Sequence, residues 1–385
     1  MLILMILTVS ALAYTLVTAL GPTARAQARD RITVEALAQA RSALLAWAVS
    51  HVDIAPPANA RPGELPCPDT DNDGLAQVNC VAGQLGRLPW KTLGLAPLYD
   101  GHGELLWYAP GIGFRSAAQD AGGLNSDRAA TLLLRDSAGA LLTPAGAELA
   151  AVLIAPGATL PGQGARPSNL AADYMEAALG TDNRMAGPSF ITGPVRDGAG
   201  DVVLNDIVVG VSGRELINLA ERRALAEALR ALDLFTIANG GKLPNAAAPA
   251  EAACLAAVNN VLATVACPAQ AGRCIGRLAE DSLAPHAAPW FNANGWGRAM
   301  TYAVRDDTAV DASGTDCSAG LSLDGAATRM VLVAGGSARA GQVRPSTVLS
   351  NYLEDAANQD AWTPAFGQAN FAAPVAGNDL IRSRP

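Results

Sequence analysis

The feature that most constrains this 385-residue chain is that its second half repeats its first. Ala36-Leu37-Ala38-Gln39-Ala40, followed by Leu44, Trp47 and Val49, matches Ala224-Leu225-Ala226-Glu227-Ala228, followed by Leu232, Phe235 and Ile237. Each copy then passes through Leu-Pro (Leu65-Pro66, Leu243-Pro244) and Pro-Trp (Pro89-Trp90, Pro289-Trp290) to a segment ending in Tyr-Ala (Tyr108-Ala109, Tyr302-Ala303). Val152-Leu-Ile-Ala-Pro-Gly157, Arg166-Pro-Ser168 and Asp173-Tyr-Met-Glu176 are answered by Val331-Leu-Val-Ala-Gly-Gly336, Arg344-Pro-Ser346 and Asn351-Tyr-Leu-Glu354. Landmarks repeated in one order mean two copies of one folding unit. The spacing puts the boundary near Ser212-Gly213 and divides the chain into residues 1–22, 23–212 and 213–385.

Within each copy the order predicts a long helix, a loop, a strand, a second strand and a short Tyr-containing helix that Ser168 or Ser346 could cap. Asp201–Val209 reads as an additional strand of the first copy, and the expected class is α+β. Trp90, Trp107, Tyr108, Trp290, Trp296 and Tyr302 recur in both copies, as packing residues would.

Met1–Leu20 carries no charge. About 30 Å of helix at 1.5 Å per residue matches a bilayer core, so the expectation is a transmembrane anchor, with a cleaved signal peptide as the alternative. Gly21-Pro22 would kink or interrupt the helix, and strong helix formers then carry it to about Ser50, with Ile32, Leu37, Leu44, Leu45 and Val49 on its apolar face. Arg25, Arg29 and Arg31 follow the apolar run, which by the positive-inside rule places the following domain in the cytoplasm. Six cysteines without a CxxC pair, set among glycines and prolines, indicate instead an oxidising compartment, and they outweigh the three arginines. The expected location is thus the inner membrane, single-pass, with the domains in the periplasm or on the cell surface.

Cys67 and Cys80 bracket one loop and form a candidate disulfide. Cys254, Cys267, Cys274 and Cys317 allow three pairings, or a zinc site whose short ligand spacing is missing. Inside the first cysteine loop, Asp69-Thr-Asp71-Asn-Asp73-Gly74 has the alternating carboxylates and glycine that begin a calcium loop, although the twelfth position is Cys80 rather than glutamate. The two readings are a calcium site completed by other ligands and a solvated acidic turn.

A net charge of -8 with only two lysines, Lys91 and Lys242, argues against a nucleic-acid partner. The histidines are His51, His102 and His286, and no HExxH, GxSxG or phosphate-loop motif accompanies them. The expectation is a non-enzymatic protein, with a spatially assembled hydrolase using His102 as a rival.

An apolar amino-terminal helix with a proline near position 22, continuing into an amphipathic helix on a small sheet, resembles type IV pilins and type II secretion pseudopilins. Leu65-Pro-Cys-Pro-Asp-Thr-Asp-Asn-Asp-Gly74, Gly86-Arg-Leu-Pro-Trp-Lys-Thr-Leu-Gly94 and Asp100-Gly-His-Gly-Glu-Leu-Leu-Trp-Tyr108 look like phrases of large bacterial prepilin-like proteins. The resemblance covers the first ~115 residues and, through the duplication, the second half more loosely. The family's cleavage motif is missing, and position 5 is Met5 where pilins have glutamate. The resemblance implies two tandem pseudopilin-like heads in a minor pilin or pseudopilin-like component of a pilus or secretion apparatus. Its partners would be other such subunits or secretion-apparatus proteins. A bitopic envelope protein that holds a ligand or partner and does not polymerise is the alternative.

Overall fold

The computed structural model describes the backbone of residues 2–54, 60–81, 83–116, 120, 122–185, 187–255, 266–317, 320–339, 341–361, 369–374, 377 and 379–385, with side chains from residue 21 onward except Pro22 and Ser350. Helix α1 runs as one element over Leu2–Ile54, straight through Gly21-Pro22. Its packed stripe is Thr33, Ala36, Leu37, Ala40, Leu44, Ala48 and Val52, spaced at three and four residues as a helix face requires. Three of the seven are alanines, which bring the helix axis close to the sheet. Ile32, expected on this face, points outward at 45% exposure, and Leu45 and Val49 are only half-buried.

Strands β1 (Gly86–Arg87), β2 (Trp107–Pro110), β3 (Leu149–Ala155) and β4 (Ile207–Ser212) form an antiparallel sheet in that order. Trp107 pairs with Ile154 and Ile207 with Ala155. Helix α2 (Gly213–Ala238) follows directly, with Ser212 as its N-cap. Strands β5 (Ile275–Arg277), β6 (Met300–Val304), β7 (Met330–Ala334) and β8 (Leu380–Arg384) then repeat the first sheet's order and antiparallel sense. The fourth strand is therefore common to both copies and is not an addition to the first, as the sequence reading had it. In β8 the apolar run of β4 is replaced by Leu-Ile-Arg-Ser-Arg, which hides the correspondence.

The duplication extends to side chains. The buried Tyr108 hydroxyl donates to the Pro66 carbonyl at 3.1 Å, and the buried Tyr302 hydroxyl to the Pro244 carbonyl at 3.2 Å. Each tyrosine thereby fastens the Leu-Pro segment to the second strand of its sheet. Helix α2 serves both copies: Leu216 and Ile217 join the core under α1, whereas Ala224, Leu225, Ala228 and Leu232 join the core of the second sheet.

The chain is thus mixed helix and sheet, with mostly antiparallel pairing and six α-helices among the described residues. One expectation is corrected. Among the described residues no helix is long and apolar enough to cross a membrane, so the transmembrane helix expected over Met1–Leu20 does not stand. The described side chains of α1 include Arg25, Arg29, Asp30, Arg31, Glu35 and Arg41, so the part of the helix from residue 25 onward is too charged to lie in a hydrocarbon core. The side chains of Met1–Leu20 themselves lie outside the described residues.

Candidate functional site

The cysteines pair Cys67–Cys80, Cys254–Cys267 and Cys274–Cys317, leaving none free. Four cysteines consumed in two disulfides cannot be a zinc site. The first bridge, with Cα atoms 5.6 Å apart, closes the acidic loop. Buried Asp69 organises that loop: its Oδ1 accepts the amides of Asp71 at 3.2 Å and Asn72 at 2.7 Å, and its Oδ2 accepts that of Gly74 at 2.7 Å. Gly74 is required twice over, since its φ is +86° and a Cβ would lie 2.5 Å from the Trp90 ring.

Carboxylate oxygens of Asp69, Asp71 and Asp73 lie within 4.8 Å of one another, so the three residues marked by the spacing are brought together. Asp71 and Asp73 face solvent; Asp71 accepts from Gln77 at 3.0 Å and Asp73 from the Leu75 amide at 2.7 Å. Burial pushes the Asp69 carboxyl above the usual range, against the pull of the Gly74 and Asn72 amides. The Asp69 and Arg87 backbones exchange hydrogen bonds, which ties the loop to β1.

The histidines lie apart. His51 is buried, stacked on Trp47 with ring centroids 4.1 Å apart, and its Nε2 lies 2.9 Å from Glu64. Arg61 meets the same carboxylate at 3.3 Å, and the trio closes the end of α1. His102 sits exposed in its turn, its backbone amide donating to Asp100, and His286 meets the Phe235 ring edge-on at 6.0 Å. Among the described residues His102 makes no side-chain hydrogen bond to a serine, cysteine or carboxylate that would support the hydrolase reading.

The most elaborate polar constellation is one that the sequence reading passed over, and it occurs twice. In the first copy the Arg87 guanidinium lies over the rings of Trp107 at 4.1 Å and Tyr174 at 4.0 Å. Arg166 also lies over Tyr174, at 4.5 Å, and donates to the carbonyls of Gly157 and Asp173. The Tyr174 hydroxyl accepts the Ser168 amide at 2.8 Å. In the second copy Arg277 and Arg344 lie over Tyr352 at 4.8 and 4.7 Å, Arg344 donates to the carbonyls of Gly336 and Asn351, and the Tyr352 hydroxyl accepts the Ser346 amide at 3.1 Å. Ser168 and Ser346 do not cap helices. Their hydroxyls accept the amides of Leu170 and Val348 two residues on, closing a turn before a short 3₁₀ segment.

A carboxyl pair completes each copy. Asp206 accepts the Glu176 amide at 3.3 Å, and Asp379 accepts the Glu354 amide at 3.0 Å. Burial raises Glu176 to about 7, Asp379 to about 7 and Asp206 well above the carboxylate range. Arginines that donate to backbone carbonyls and cover tyrosine faces fasten the Arg-Pro-Ser loops. The signal available in sequence was the repeated Gly86-Arg87-Leu88 and Gly276-Arg277-Leu278.

The copies differ at their mutual boundary. The Tyr352 hydroxyl donates to Asp127 at 3.2 Å, Asn125 donates to the carbonyls of Asn294 and Gly295, and Glu221 of α2 accepts the Gly336 amide at 3.0 Å. Burial drives Glu221 up to about 8 although Arg344 pulls it down.

No family model, no curated protein and no solved structure matches the chain.

Proposed function

We propose that this is a non-enzymatic, extracytoplasmic structural protein, a pseudopilin-like minor subunit with two tandem heads. The observation that carries this reading is the division of labour along α1. The helix packs on the first sheet from Thr33 to Val52, while Thr23–Ile32 is exposed apart from half-buried Ala26. The first head contact is the 100–103 turn, where the Gly101 amide donates to Thr33 Oγ1 at 2.9 Å. A helix fastened to its head from Thr33 onward and exposed over the ten residues before it is suited to pack against helices of neighbouring subunits. The three disulfides support an oxidising location. A photo-crosslinking residue placed at exposed Ala28 tests this: cross-links to a second subunit's helix are expected, and a protein that stays monomeric under all conditions contradicts it.

The acidic loop adds calcium to the reading, carried by the convergence of three carboxylates within 4.8 Å on a disulfide-closed turn. Asp71 and Asp73 would supply the outer ligands and Asp69 the inner one, the bound ion neutralising their mutual repulsion.

A further inference from the structure

The two copies can be compared residue by residue, so each serves as a control for the other. In the first copy the Leu160 amide donates to Gln163 Oε1, and that oxygen also accepts from Arg166. In the second copy the Arg339 amide donates to Gln342 Oε1, which accepts from Arg344. The turn is the same; its first residue is leucine in one copy and arginine in the other. A second exchange lies nearby, where Asp173 in the first copy corresponds to Asn351 in the second, both bonded to the equivalent serine hydroxyl. Neither change is needed to build the loop, because the first copy builds it without them. Both shift the local charge in the positive direction.

Both altered residues line the same groove. A groove of about 680 Å³ is bordered by Arg214, Arg339, Gln342, Asn351 and Gln359, with Glu354 at its wall. It runs on, through Arg214, Arg339 and Gln342, into a recess of about 290 Å³ between the copies that also includes Arg128 together with Asp127, which is engaged by the Tyr352 hydroxyl, and Glu148, which accepts the Gly146 amide. The larger volume falls in the range of ligand clefts. Arg214 sits in the first turn of α2, donates to the Gly146 carbonyl at 2.8 Å, and keeps its Nε buried without a hydrogen-bond partner among the described residues. Arg339 is held only loosely, 3.8 Å from Glu354, with 42% of its side chain exposed. The positive end of the α2 dipole adds to the same field.

We propose that this groove binds a peptide segment rich in carboxylates, with Arg339 and Arg214 as its principal contacts and Asn351 in place of a repelling aspartate. The site is independent of filament assembly. Its test uses the full chain and a fluorescein-labelled hexaglutamate peptide, followed by anisotropy at low ionic strength, with hexaglutamine as the neutral control. Arg339→Leu with Asn351→Asp installs the residues of the first copy, whose loop is already known to close, so the variant is expected to melt with the wild type. Saturable hexaglutamate binding is expected, weakened about tenfold or more in that double variant and in a separate Arg214→Gln variant, and weakened further by salt. Equal affinity in wild type and double variant overturns the proposal. So does hexaglutamine binding as tightly as hexaglutamate, or binding of inorganic phosphate with none of the peptide.

Discussion

The Tyr352 hydroxyl donates to Asp127 at 3.2 Å across the boundary between the copies, whereas the equivalent Tyr174 hydroxyl lies within a single copy, accepting the Ser168 amide. One loop architecture is thus used in the second copy also to fasten the two heads together. Tyr352→Phe keeps the ring under Arg277 and Arg344 but leaves Asp127 Oδ2 and the Ser346 amide without their partner. A loss of about 1–3 kcal/mol in denaturant unfolding is expected, the cost of stranded buried polar groups.

Stability is expected to fall as pH rises through neutrality. Glu221 at about 8, and Glu176 and Asp379 at about 7, bind protons more tightly when folded than the unfolded chain's carboxyls do. The folded state therefore holds more protons across the window from about 4.5 to 8, and unfolding becomes easier with each rise in pH there. Thermal midpoints should decline from pH 5 to pH 8. Glu221→Gln should raise the midpoint at pH 8 more than at pH 5, and an equal effect at both would refute the assignment.

The disulfides differ in expected worth. Cys67–Cys80 and Cys254–Cys267 each join residues 13 apart, and Cys274–Cys317 joins residues 43 apart. Loop-closure entropy gives about 3 kcal/mol for the short loops and about 4 kcal/mol for the long one. Pairwise Cys→Ser variants, compared by urea unfolding, should rank in that order.

Calcium should raise the melting temperature and a chelator reverse the gain, with Asp71→Ala abolishing the response. Asp69→Ala should instead destabilise the protein with or without the ion, because three backbone amides lose their acceptor. A melt indifferent to both calcium and chelator would leave the loop as a hydrogen-bonded turn alone.

Much of the architecture was legible because the chain states it twice. Repeated Leu-Pro, Tyr-Ala and Arg-Pro-Ser landmarks located the Leu-Pro segments, the second strands and the loops that Arg166 and Arg344 fasten. The D-x-D-x-D-G spacing marked three carboxylates that do converge. The fourth strand of the second copy was missed because Arg382 and Arg384 break its apolar run, its pairing with β7 resting on backbone hydrogen bonds. The α1 face was misread at Ile32 because alanines carry the close packing. The arginine–tyrosine constellation escaped because Arg87 and Tyr174 are far apart in sequence and meet only when β1 and the Arg-Pro-Ser loop are both in place. The groove was invisible for a related reason: it lies between the copies, where a repeat describes each unit but not their junction.

The measurement that bears most directly on the central claim is recovery of the protein from its native cells after mechanical shear, followed by intact-mass analysis of the sheared fraction. The account predicts that the full two-headed chain is found there with other pilin-like subunits, its three disulfides intact. A protein absent from that fraction and recovered only as a free monomer would contradict it.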